Sequence, residues 1–83
     1  MSTTVNDTVA KLRERLVERA DYAAYQLDRH RKHVEAIKDR PRTATRIEAD
    51  RWSDGFWTGA MDSFGLALIA LDCLVAAEAE ATS

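Results

Sequence analysis

The chain has 83 residues, room for one domain and no more. Twelve Lys and Arg against 14 Asp and Glu leave a net charge of −2, which excludes a polycation that coats nucleic acid by bulk charge. Three Gly and one Pro are too few for the turns of a small β-barrel, and a single Cys excludes a disulfide framework, so packing must supply the stability. The polar segment Met1 to Lys11 has no apolar signal core, which makes the cytoplasm the expected compartment.

Thr4-Val5-Asn6-Asp7 has the spacing of a helix start, with Asp7 placed to face the helix dipole. Core-side positions then recur at Val9, Leu12, Leu16, Ala20, Ala23, Leu27, His30, Val34 and Ile37, in steps of three and four, which is a helical period. Pro41 ends this helix, because its ring clashes with the preceding turn and pushes Arg40 out of the α region. The reading is helix one over about 5–39 and a turn over about 40–44. Thr45-Arg46-Ile47-Glu48 reads as a capping box and predicts helix two over about 46–79. Two helices of matched length, each roughly 50 Å, joined by a short turn make an all-α antiparallel hairpin. Trp52-Ser53-Asp54-Gly55 is the one place where helix two could break, since Gly is costly inside a helix and Ser and Asp offer a new cap. The expected reading is nevertheless a continuous helix.

Helix two carries more apolar surface than one partner covers. Trp57, Met61, Phe64, Leu68, Leu71 and Val75 form one stripe; Phe56, Ala60, Ala67, Ala70 and Leu74 form a second; Leu66, Ile69 and Cys73 occupy a third face. The apolar run Phe64 to Ala77 is shorter than the ~20 residues of a membrane span, and Asp62 and Asp72 bracket or interrupt it, so a membrane is not the expected partner. A second copy is. Two hairpins pairing through helix two give a dimeric four-helix bundle, with Gly59, Phe64, Ala67, Leu68, Leu71, Leu74 and Val75 at the dimer interface. Gly55, Gly59, Ser63 and Ala67, spaced four apart, would let another backbone approach closely.

Catalytic and metal chemistry find little support. His30 and His33 have ligand-like spacing but share their surface with Arg29, Arg31 and Lys32, which repel a cation. His30 lies on the core stripe and should donate to an acceptor near Gly55. Asp72, in the apolar run, should pair with Arg13 or Arg15. Cys73 reads as a small core residue. With no phosphate loop, nucleophile elbow or metal quartet, the expectation is a non-enzymatic protein without metal or cofactor.

Charge is segregated. Residues 29–51 hold eight Lys and Arg against four acids, whereas residues 52–83 hold five acids and no base. The basic turn end and the aromatics beside it predict a partner-binding surface of Arg40, Arg42, Arg46, Arg51, Trp52 and Phe56. Another protein is the favoured partner and nucleic acid held at the turn the alternative. Trp52, Phe56 and Trp57 cannot all share one buried face, since adjacent helical positions differ by about 100°, so a partly exposed cluster is expected.

Two resemblances attach to these residues. Trp57-Thr58-Gly59 in a two-helix chain resembles the Trp-x-Gly substrates of type VII secretion, over those three residues and the hairpin. In that family the motif lies at the turn; here it follows Pro41 by 16 residues, and the C-terminal tyrosine signal is missing, both departures arguing against membership. Arg51-Trp52-Ser53-Asp54-Gly55-Phe56-Trp57 leading into an Ala- and Leu-rich helix is similar in style to small all-helical accessory proteins of phages and prophages. That likeness implies a binder that modulates a host protein, and it assigns no residue roles.

Overall fold

The computed structural model describes residues 2–82, with side chains from Val5 to Ala81. Two helices, α1 (Ser2–Ile37) and α2 (Ala44–Thr82), run antiparallel as a hairpin 62 Å long and 16 Å across, and no strand occurs among the described residues. The register is read from cross-helix pairs: Arg13 meets Asp72 near the open end, Tyr22 meets Trp57 midway, and Arg31 meets Asp54 toward the turn.

Helix α1 starts two residues before the suggested Thr4 cap, whose side chain lies outside the described residues. It stops at Ile37, where the Arg40 amide donates to the Ile37 carbonyl at 3.0 Å in a tight turn. Pro41 thus acts earlier than the one-residue rule implies, since the chain must reverse within a few residues to bring α2 back along α1. The cap of α2 is Thr43 and not Thr45: its hydroxyl accepts the Arg46 amide at 3.1 Å, and its carbonyl accepts the first helical bond, from Ile47, at 3.1 Å. Helix α2 then runs unbroken through Trp52-Ser53-Asp54-Gly55. Ser53 and Asp54 are half-buried against α1 there, so packing outweighs the local propensity to break.

The core is thin. Among the described residues only Ala23 and Leu27 are fully buried apolar side chains, both in the middle of α1. Leu16, Ala20, His30, Val34 and Ile37 on α1 and Ile47, Trp57, Met61, Phe64, Leu68 and Leu71 on α2 are all half-buried. Two cylinders touch along a line, so one helix covers about a third of the other and leaves the rest to solvent. On α2 that remainder is apolar: Leu66 and Leu74 stay 67% and 68% exposed, and Ile69 62%. By length and composition α2 also meets the measure of a membrane-crossing helix, and none of its apolar window is buried in the hairpin.

Candidate binding surfaces

The one buried charge among the described residues organises the turn end. Asp50 is only 7% exposed; it accepts from Arg42 Nη1 at 2.8 Å and stands 3.5 Å from Arg46 Nε. Its backbone carbonyl accepts from His30 Nε2 at 2.9 Å, which places the imidazole proton on that nitrogen. The expected acceptor near Gly55 is therefore one turn earlier. A buried carboxylate demands cations, and the turn supplies two of them. As a result Arg42 of the expected basic surface turns inward onto Asp50 and Arg46, itself still exposed, pairs with it from the surface, while Arg40 and Arg51 are exposed and have no carboxylate at ion-pair distance among the described residues.

Two further pairs tie the helices along one flank. Arg13 Nε donates to Asp72 Oδ1 at 3.1 Å, in the expected pairing but at the surface, each side chain being about half exposed. Arg31 Nε donates to Asp54 Oδ2 at 2.8 Å, and its Nη2 reaches the Thr58 hydroxyl at 3.4 Å. The hydrogen bond from Arg31 is the main cause that holds the Asp54 carboxyl below the ordinary carboxylate range, and the same bond raises Arg31; the Asp72 hydrogen bond likewise raises Arg13.

On the other flank the aromatics form a continuous ledge. Trp52 stacks on Phe56 with ring centroids 5.3 Å apart, Phe56 meets Trp57 edge-on at 4.9 Å, and Trp57 meets Tyr22 of α1 at 5.8 Å. Trp57 is half-buried, whereas Trp52 is 69% and Phe56 49% exposed, so the expected partly exposed cluster is present. Beside it lies an open cleft of about 270 Å³ walled by Gln26, Arg29 and His33 of α1 with Trp57 and Ser53 of α2. Sequence reasoning identified the aromatics but missed Arg29 and His33 as their neighbours, because only the hairpin register aligns them with Trp57. A spacing count from the expected Arg13–Asp72 pair would have found them.

The residues assigned to a dimer interface divide. Phe64, Ala67, Leu68 and Leu71 are half-buried, with Phe64, Leu68 and Leu71 on the seam against α1; Gly59, Leu74 and Val75 are exposed, alongside Leu66 and Ile69. Nothing within the hairpin occupies the space beside Gly55, Gly59 or Gly65, where an added Cβ would meet no atom within 4 Å. Cys73, expected in the core, is exposed on the outer face of α2. No group of three potential metal ligands occurs among the described residues. No known protein family, curated protein or solved structure matches this chain.

Proposed function

We propose that the chain is a non-enzymatic, cytoplasmic binding protein that works as a homodimer, two hairpins joining through α2 into a four-helix bundle and presenting their free surface to a macromolecular partner. The observation that carries this reading is the uncovered outer face of α2, where Leu66, Ile69 and Leu74 stand 62–68% exposed within nine residues. A soluble monomer rarely exposes a contiguous apolar patch of that kind, and burying each such side chain is worth roughly 1.5–3 kcal/mol. The non-enzymatic part is supported by the only buried carboxylate among the described residues, Asp50, being held in ion pairs with Arg42 and Arg46 of its own chain. In the version suggested by the likeness to phage accessory proteins, the partner belongs to a host cell.

Nucleic acid held at the hairpin turn is the weaker reading, because Asp50 occupies Arg42 and Arg46. Multi-angle light scattering at micromolar concentration tests the dimer: a mass about twice the 9.3 kDa chain is expected, and a clean monomer refutes it.

A further inference from the structure

We propose that the flank of α1 carrying Lys11, Arg15, Arg19 and Arg29, together with the Trp52–Phe56 ledge of α2, is a binding site for single-stranded nucleic acid. The starting observation is how the cations are used. Of the 12 Lys and Arg, six sit in ion pairs: Arg13, Arg31, Lys32, Lys38, Arg42 and Arg46. Lys11, Arg15, Arg19 and Arg29 are exposed and have no carboxylate at ion-pair distance among the described residues. They are not scattered. Lys11, Arg15, Arg19, Tyr22, Gln26, Arg29 and His33 follow one another in steps of four, four, three, four, three and four, a single stripe along α1. From Lys11 to Arg29 the stripe measures ~27 Å, and its first three cations stand ~6 Å apart along the axis.

The contacts fix where this stripe points. Tyr22 meets Trp57, and Gln26, Arg29 and His33 share the cleft with Trp57 and Ser53, so the cations run along the same side of the hairpin as the aromatic ledge. Most acids of α1 stand elsewhere: Glu14, Asp21, Asp28 and Glu35 recur every seven residues on a different flank, while Asp7, four residues before Lys11, and Glu18, three after Arg15, border the stripe and leave it a net excess of two cations. A helix is ~10–12 Å thick and the Debye length in physiological salt is ~8 Å, so the acids of the far flank are largely screened from an anion on the cationic flank despite the net charge of −2.

A row of unpaired cations beside open aromatic faces matches a polymer that repeats a phosphate and a flat base. The outer face of Trp52, backed by Phe56 in a nearly parallel stack at 16°, offers a platform on which an unpaired base can lie. An acidic polypeptide would use the charges and leave that platform idle. A duplex would also leave it idle, since its bases are stacked on each other, and neither helix is set to enter a groove.

This inference rests on the reading of the chain as a binder, but it does not need the dimer. Its test is the fluorescence anisotropy of a labelled, mixed-sequence DNA strand of about 20 nucleotides titrated with the full chain. Binding is expected at low salt, weakening on a log–log plot with a slope of about −3 for four phosphate contacts on a single strand. Combined Arg15→Glu, Arg19→Glu and Arg29→Glu should lower the affinity more than about 100-fold, with the helical circular dichroism and light-scattering mass unchanged. Trp52→Ala should lower it about 5- to 150-fold and leave the salt slope unchanged. Arg40→Glu with Arg51→Glu, away from the stripe, should leave it within about threefold of wild type. The proposal is overturned if the strand does not bind at low salt, or if the stripe variant binds as well as wild type. It also falls if a duplex binds more tightly than the strand, or if polyglutamate displaces the strand at equal charge concentration. A monomeric mass in light scattering would sink the dimer reading alone and leave this one standing.

Discussion

Asp50 shows how one buried charge decides what its neighbours do. It draws Arg42 inward, pairs with Arg46 at the surface and anchors His30 through its carbonyl, so the turn end is held by a polar cluster where the apolar core is too thin to hold it. Asp50→Ala would leave Arg42, itself largely buried, without its partner, and the expected cost is about 3 kcal/mol in urea unfolding. The exposed Arg13–Asp72 pair should contribute little: Asp72→Asn is expected to leave the urea midpoint almost unchanged. Asp54 supplies a pH signature. Its carboxyl is held below the ordinary range of ~3.9, so its pairing with Arg31 stabilises the fold above that pH and the contribution disappears as pH falls through the lowered value. The stability difference between wild type and Asp54→Asn should therefore narrow from about pH 5 to about pH 2, and it should be small throughout because both partners are substantially exposed.

At the level of the helices, the glycines of α2 are informative because the hairpin gives them no work. None has positive φ, and none faces an atom that an added Cβ would meet. Gly55→Ala and Gly65→Ala should each stabilise the helix by about 0.8–1 kcal/mol, read as a rise in thermal midpoint. Gly59→Ala should do the same in a monomer. If its midpoint gain comes with weaker dimerisation in sedimentation, a partner backbone approaches there, as the Gly55, Gly59, Ser63 and Ala67 spacing anticipates. The cap at Thr43 is a separate lever: Thr43→Ala removes the acceptor for the Arg46 amide and should cost about 1 kcal/mol.

For the whole molecule, the two faces of α2 respond differently to charge. Leu68 lies on the seam with α1, so Leu68→Asp buries an unpaired carboxylate inside the hairpin and should abolish helical circular dichroism. Ile69 and Leu74 face outward, so Ile69→Asp with Leu74→Asp should leave the hairpin folded and shift the light-scattering mass from dimer to monomer. Loss of helicity in both variants would mean that the hairpin, with its short supply of buried side chains, cannot stand without its partner.

The helical hairpin was legible in the sequence because its determinants are local: a three-and-four apolar period on both sides of Pro41, too little Gly and Pro for anything else, and matched lengths. The Arg13–Asp72 pair and the half-exposed aromatics followed from the same periodicity once the helices were laid antiparallel. What the tertiary structure decided was how the charges are spent. Whether Arg42 and Arg46 point at solvent or at Asp50, and whether Arg29 stands beside Trp57, depends on register and on the true start of α2 at Thr43. A shift of two residues in a helix turns a side chain by about 200°, and no local signal resolves a helix start that finely. Basic residues near a turn suggested a basic tip; the burial of one aspartate engages two of them, leaving Arg40 and Arg51 unpaired there and four further unpaired cations along α1.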